Sequence, residues 1–86
     1  MYYDVEFRID SYDNDCDYSE KMKTLAEAKR YIKELVKKFG ERLASACIKK
    51  WDDSDAWYTK DYYSEGAVNL VDSWEYDVDK GIYYHL

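Results

Sequence analysis

The sequence predicts an α+β fold: a two-layer sandwich of one amphipathic helix, at about residues 24–39, on a four- to five-stranded, mainly antiparallel sheet. Residues 2–10 alternate between apolar and polar side chains, and residues 25–39 repeat apolar side chains every three or four positions. Residues 43–86 consist of short β-prone segments divided by turn residues. The predicted order is β-α-β-β-β-β, in a single domain that covers residues 1–86.

The first strand is predicted at residues 2–10. One side carries Tyr3, Val5, Phe7 and Ile9, and the other carries Tyr2, Asp4, Glu6, Arg8 and Asp10. A period of two indicates a half-buried strand, here with an acidic outer face. The chain that follows, up to about Lys23, is expected to be an acidic loop.

The helix is expected to begin at Thr24, whose hydroxyl can accept a hydrogen bond from the amide of Glu27 while the Glu27 carboxylate reaches back. Gly40 supplies the left-handed residue that ends it. Its apolar stripe is expected to face the sheet and consists of Leu25, Ala28, Ile32, Leu35, Val36 and Phe39. The opposite face is basic and carries Lys29, Arg30, Lys33, Lys37 and Lys38.

Further strands are expected at 43–51, 56–63, 67–78 and 82–86, paired antiparallel because their connections are short. The residues between them, at 52–55, 64–66 and 79–81, have the Asp, Ser and Gly chemistry of turns. In the third of these strands, Val68, Leu70, Trp74 and Tyr76 are expected on one side. Two helical turns are the alternative for residues 67–74.

Charge is segregated along the chain. Residues 1–20 carry seven acids and one base, residues 21–50 ten bases and three acids, and residues 51–86 nine acids and two bases. The net charge of −6 argues against non-specific binding to nucleic acid or to an anionic membrane. The acidic–basic–acidic layout is the most distinctive feature of the sequence.

The sequence indicates a cytoplasmic protein. No secretory signal follows Met1, and no apolar run approaches the length of a membrane span. Cys16 and Cys47 stand far apart and in no metal-ligand spacing, so two reduced thiols are expected. No phosphate-binding glycine loop and no zinc spacing occurs, and no cofactor is predicted.

The acidic loop contains aspartates at alternate positions, Asp13, Asp15 and Asp17. They match the first oxygen positions of a calcium-binding EF-hand loop. Tyr18 stands where that loop needs glycine, and Thr24 where it needs glutamate. We therefore predict no dedicated metal site, and the loop is interpreted as solvated or as part of an acidic interaction surface.

Catalysis is not expected. His85 is the only histidine, and nothing in the sequence places a nucleophile or an orienting carboxylate beside it. Cys16 lies among acids, which raise a thiol pKa and make it a poor nucleophile. Cys47 has the pattern of a small core residue.

The predicted function is that of a small, acidic, non-enzymatic protein-interaction module. Tyrosine and tryptophan, the usual anchors of interfaces, are interspersed with acids. The most specific version of this prediction is an inhibitor whose carboxylates mimic nucleic acid and block a basic groove on a nucleic-acid-binding protein. In size, acidity and aromatic content the chain is similar to small inhibitors from phages and mobile elements, although no motif identifies a family. The candidate surface consists of Asp4, Glu6, Asp10, Asp13, Asp15, Asp17, Tyr18, Asp52, Asp53, Asp55, Trp57 and Tyr58.

Two alternatives stay open. The first is nucleic-acid binding through the basic helix face, with sheet aromatics stacking on bases. The residues of that face are Lys29, Arg30, Lys33 and Lys37. Acids on the aromatic strands count against it, because they would repel phosphates: Asp61, Asp72, Glu75 and Asp77. The second alternative is a homodimer, in which the basic helix of one copy docks on the acidic face of another.

Overall fold

The computed structural model describes residues 1–10, 16–58 and 64–86, with only the backbone described for Cys16, Tyr58, Ser64 and Glu65. Within these ranges the helix α1 spans Leu25–Phe39 and is followed by a 3-10 turn at Gly40–Arg42. The strands are β1 Tyr2–Ile9, β2 Cys16–Met22, β3 Leu43–Asp52, β4 Trp57–Tyr58, β5 Ser64–Glu65, β6 Asn69–Asp77 and β7 Ile82–His85.

Five strands form one antiparallel sheet in the order β2-β1-β3-β6-β7, and α1 packs on it. The predicted α+β class is confirmed. β4 and β5 pair separately as a short hairpin. Both β2 and β3 run antiparallel to β1, so they run parallel to each other, and α1 makes the crossover between them.

The helix matches its predicted range. Thr24 Oγ1 accepts a hydrogen bond from the Glu27 amide at 3.1 Å. The Glu27 carboxylate accepts from the amide of Lys23, also at 3.1 Å, which is one residue earlier than a standard capping box. Gly40, at φ +55°, ends the helix, and its amide donates to the carbonyl of Val36.

The core lies between α1 and the central strands. Its buried members are Val5, Phe7 and Ile9 from β1, Ala28, Ile32 and Leu35 from α1, and Leu43, Ala46 and Ile48 from β3. The helix lies over β1, β2 and β3, whereas β6 and β7 extend beyond it. Val36, expected on the apolar stripe, lies at its margin and is exposed.

The strand β2 is a difference from the predicted order, which has one strand before the helix where the structure has two. The sequence predicted a loop as far as about Lys23. The side chains of residues 17–21 are all exposed, so this segment lacks the apolar alternation that marks a half-buried strand. Its backbone pairs with β1, and the Tyr18 ring stacks on Phe7 with 5.3 Å between the ring centres.

Residues 69–77 are extended, which decides between strand and helix for this segment. The pairing of β3 with β6 shifts between Lys50 and Trp51, which face Asp72 and Leu70. One extra residue, Val71, therefore stands in β6 as a bulge. Because of it, Leu70 lies on the opposite side of the sheet from Trp74 and Tyr76, where the sequence had placed all three together.

The turns follow the predicted side-chain chemistry. Asp52 Oδ1 accepts from the Ser54 amide at 3.0 Å, and Asp77 Oδ1 accepts from the amides of Asp79 and Lys80. The predicted strand at 56–63 is seen at 57–58 as β4, and residues 59–63 lie outside the described part of the chain. Ser64 and Glu65, expected in a turn, pair with β4 as β5.

Candidate functional site

The side of the sheet opposite α1 carries no further layer among the described residues. We call it the open face. The smallest dimension of the molecule is 18 Å, which one helix and one sheet account for. The strand alternation brings to this face Asp4, Glu6 and Arg8 from β1, Asp17, Ser19 and Lys21 from β2, Ser45, Cys47 and Lys49 from β3, Ser73 and Glu75 from β6, and Ile82 and Tyr84 from β7.

Acids and bases alternate at the centre of the open face. Lys49 Nζ lies 2.8 Å from Glu6 Oε2, and Arg8 Nε lies 3.8 Å from Asp17 Oδ1. Lys21 lies over the ring of Tyr2, with 4.6 Å between Nζ and the ring centre. The described part of this face is therefore polar and mixed in charge, because β2 and β3 place bases beside the mainly acidic residues of β1.

On the open face, the pKa values of Asp4 and Cys47 are raised. Burial, then the neighbouring Glu6 carboxylate, raises the pKa of Asp4, while Lys21 and Lys49 oppose the change. Burial and Glu6 also raise the pKa of the Cys47 thiol, whose sulfur lies 3.6 Å from Glu6 Oε2. Cys47 carries a free thiol, and at neutral pH it is protonated and weakly nucleophilic.

One margin of the open face is apolar. Ile82, Tyr84 and Leu86 occupy alternate positions on and after the edge strand β7, and we call them the apolar margin. Their exposed fractions are 45%, 43% and 72%. The amide of Leu86 donates to the Ser73 carbonyl at 2.9 Å, which continues the strand pairing beyond His85. Exposed apolar side chains in a row on an edge strand are typical of contact surfaces.

The predicted acidic surface is distributed over the molecule. Asp4, Glu6 and Asp17 lie on the open face, with Asp17 near the β1/β2 end of the sheet, where Asp10 follows β1. The turn with Asp52, Asp53 and Asp55 lies at the other end of β3, about 30 Å away for a ten-residue strand. Tyr18 is on the helix side, and Trp57 in β4 is exposed. Asp13, Asp15 and the Tyr58 side chain lie outside what the structure describes.

On the helix side, α1 and the uncovered strands β6 and β7 enclose a groove with a cavity volume of about 410 Å³. Its wall is basic and its floor is aromatic; Ile32, Val36 and Gly81 complete the lining. The Lys29 ammonium lies 5.0 Å from the centre of the Tyr83 ring. We call this the α1/β7 groove and define it by Lys29, Arg30, Lys33, Tyr76 and Tyr83.

The floor of the groove is a pair of tyrosines. The Tyr76 and Tyr83 rings are 4.9 Å apart between centres, and both pack against the core. Burial, with a smaller effect of Tyr76, raises the pKa of Tyr83 to about 12, so its hydroxyl is a hydrogen-bond donor at physiological pH. Further along the same side, Trp74 and His85 stack with 5.2 Å between ring centres.

The acids of β6 are separated from the groove by strand alternation. Glu75 and Asp77 point to the open face, between Trp74 and Tyr76, which point to the helix side. Asp72 shares the helix side, where its Oδ1 lies 2.5 Å from His85 Nε2. Glu75 and Asp77, which were expected to repel phosphates, therefore lie on the side of the sheet that faces away from the groove. Asp61 lies outside the described residues.

The basic helix residues divide between two positions. Lys29, Arg30 and Lys33 line the groove. Lys37, predicted with them, lies one turn beyond Lys33 on the same stripe and is not part of the lining. The aromatic floor was predictable in part from the sequence, since Trp74 and Tyr76 alternate with acids in β6 and so share one side of the strand. It did not reveal which strands the helix leaves uncovered.

No group of three or more His, Cys, Asp or Glu side chains that could hold a metal ion occurs within residues 1–10, 16–58 and 64–86. The described part of the chain has no helix long and apolar enough to cross a membrane. Comparison with protein families, curated proteins and solved structures finds no match for this chain.

Proposed function

We propose that this protein is a non-enzymatic interaction module that binds a partner protein through the open face and its apolar margin. The observation that carries the proposal is the coexistence of an uncovered sheet face with three exposed apolar side chains along one edge. Tyrosine and isoleucine in such a row can enter pockets of a partner, while the surrounding polar groups form the rim.

The edge strand gives the partner a second means of attachment. β7 is the last strand of the sheet, so the backbone groups on its outer side have no neighbouring strand in the described chain. An extended partner segment can add to such an edge through main-chain hydrogen bonds, with alternate side chains reaching the apolar margin. β7 is short, residues 82–85, which limits this pairing to about two pleat repeats of two residues each.

The chemistry of the open face supports binding over catalysis. Cys47 is protonated at neutral pH, and the Glu6 carboxylate beside it forms an ion pair with Lys49. A general base needs a proton to abstract within hydrogen-bond reach and a pKa suited to the task. The proposal therefore assigns these groups to a polar contact surface.

A finer proposal concerns the partner. We infer that the acids at the ends of the sheet give it a preference for a basic groove, as expected of a nucleic-acid mimic of the phage or mobile-element type. The turn with Asp52, Asp53 and Asp55 supports this, because three carboxylates lie within four residues. A hydrogen bond from Ser54 lowers the pKa of Asp52, which keeps it ionised.

The test is a tagged pull-down from lysate of the source organism, treated with nuclease and read by mass spectrometry. Ile82→Ser and, separately, Tyr84→Ser should reduce capture of the partner about tenfold, the effect of losing an interface anchor. Val71→Ser is the matched control, since Val71 is also an exposed apolar residue but lies outside the apolar margin. Equal capture by all three variants would contradict partner binding through the apolar margin of the open face.

The same capture tests the finer proposal. Duplex DNA added to the washed complex should displace the partner if the partner uses a nucleic-acid-binding groove. Reversal of Asp13, Asp15 and Asp17 to lysine should also weaken capture. A partner that DNA does not displace would contradict mimicry and leave the protein-binding proposal in place.

A further inference from the structure

We propose a second binding site, distinct from the open face: the α1/β7 groove binds a nucleotide unit, an aromatic base with its phosphate, either free or within a single-stranded nucleic acid. The groove combines a row of cations with a pair of aromatic rings. These are the two groups that single-strand binding sites use, the cations for the backbone and the rings for the bases.

The wall has cations available for phosphate. Lys29 and Lys33 are four residues apart, so their side chains emerge on the same side of α1, about 6 Å apart. No ion pair joins Lys29, Arg30 or Lys33 to an acid within the described chain. By contrast, Lys49 and Arg8 on the open face have carboxylate neighbours. Within the described chain, the groove cations are therefore not paired with a carboxylate.

The floor has rings that are held in place. Tyr76 and Tyr83 are half-buried against the core, which fixes their orientation before a ligand arrives. The Lys29 ammonium over Tyr83 marks that ring as a site where a planar or cationic group is stabilised. Lysine side chains exchange rotamers rapidly, so a base can take this position while the ammonium moves to the phosphate.

Size and charge fit one nucleotide. A volume of about 410 Å³ lies within the range of roughly 300–1,000 Å³ of small-ligand sites. Glu75 and Asp77 point away from the groove, and Asp72 is paired with His85.

The experiment titrates the whole protein against two probes. One is a fluorescein-labelled 12-mer of oligouridylate, followed by fluorescence anisotropy at several salt concentrations; the other is unlabelled UMP as competitor. The test variants are Lys29→Gln with Lys33→Gln, and Tyr83→Leu. Lys21→Gln with Lys38→Gln is the matched control: it makes the same charge change outside the groove. Circular dichroism verifies the fold of each variant.

The proposal expects two separable effects. Loss of both lysines should weaken binding and reduce the slope of log K against log salt by about 1.4, since each contact with a single strand contributes about 0.7. Tyr83→Leu should weaken binding about tenfold or more with the slope unchanged, because it removes a stacking surface and no charge. The control pair should match the wild-type protein in both quantities.

UMP distinguishes the two sources of the ligand. Displacement of the labelled strand by UMP at concentrations near its own dissociation constant indicates a free-nucleotide site. Failure to displace, with the variant effects intact, indicates a site for a strand. The proposal is overturned by absence of binding to either probe at 50 mM salt, by equal loss in the control pair, by an unchanged affinity in Tyr83→Leu, or by poly-glutamate competing as well as the oligonucleotide.

Discussion

At the scale of single residues, burial and neighbouring charges on the open face shift the pKa values of its groups. Asp4 lies on β1 opposite Lys49 of β3 and Lys21 of β2, yet burial and Glu6 outweigh both bases and raise its pKa. Asp52, at the end of β3, is the opposite case, because the Ser54 amide bonds its ionised form and lowers its pKa. These two aspartates therefore make opposite contributions to the pH dependence of folding stability.

Asp4→Asn should stabilise the protein at pH 7. The raised pKa means that the folded state holds the Asp4 proton more tightly than the unfolded chain does. The stabilisation by the protonated form is complete below the ordinary value of 3.8 and is lost as pH rises through the folded pKa. We expect a gain below about 1 kcal/mol at pH 7 and none at pH 3, measured by urea unfolding.

Asp52→Asn is the control of opposite sign. Its lowered pKa gives stability that is present above 3.8 and lost as pH falls, so the variant should be less stable than wild type at pH 7. If both variants change stability in the same direction at pH 7, the environment assigned to Asp4 is incorrect.

At the scale of elements, short-range geometry determines how strands and turns meet. Gly66 follows β5 at φ +92°, and a Cβ there would lie 2.3 Å from the Asp55 carbonyl oxygen. Gly81, between β6 and β7, also has a positive φ, +70°, but its Cβ would be 3.7 Å from the nearest atom, the Tyr76 hydroxyl. The two glycines share a backbone requirement and differ in the space around them.

Gly66→Ala should therefore destabilise the protein more than Gly81→Ala. The left-handed conformation alone costs about 1–2 kcal/mol for a residue with a Cβ, and this applies to both variants. At Gly66 the contact with backbone adds a further loss, since the Asp55 carbonyl cannot rotate away as a side chain can. Urea unfolding of the two variants measures the difference, and equal losses would contradict the close approach at Gly66.

At the scale of the whole molecule, one small core supports both candidate surfaces. Among the described residues it comprises nine buried side chains from α1, β1 and β3, whereas β6 and β7 contribute partly buried aromatics around it. For a folded chain of 86 residues, a total stability of about 4–13 kcal/mol is typical. Truncation of one central side chain therefore removes a large fraction of the free energy of unfolding, on which both the open face and the groove depend.

Ile32→Ala should lower the free energy of unfolding by about 2–5 kcal/mol, because Ile32 is fully buried between α1 and the sheet. Ile82→Ala is the matched control: the same atoms are removed from an exposed position, and the change should stay within about 0.5 kcal/mol. Urea denaturation, with the slope m compared between variants, measures both. A similar loss at the two positions would contradict the assignment of the core.

The sequence by itself determined the local elements. The period of two in β1, the three-and-four spacing of α1 and the turns at 52–55 and 79–81 depend on neighbours in the chain, and all are found close to where they were predicted. The basic stripe of α1 and the acids of β1 were also readable, because the side of a helix or strand follows from its period.

Only the tertiary structure decided which surfaces these elements form. β2 carries no apolar alternation, so its pairing with β1 could not be read from its own residues. The bulge at Val71 turns Leu70 away from Trp74, and a shift of one residue in pairing leaves no local trace. Strand order places β6 and β7 beyond the helix, which leaves Tyr76 and Tyr83 beside Lys29 and turns Glu75 to the open face. Both candidate sites depend on contacts between residues distant in sequence, and local periodicity cannot specify those contacts.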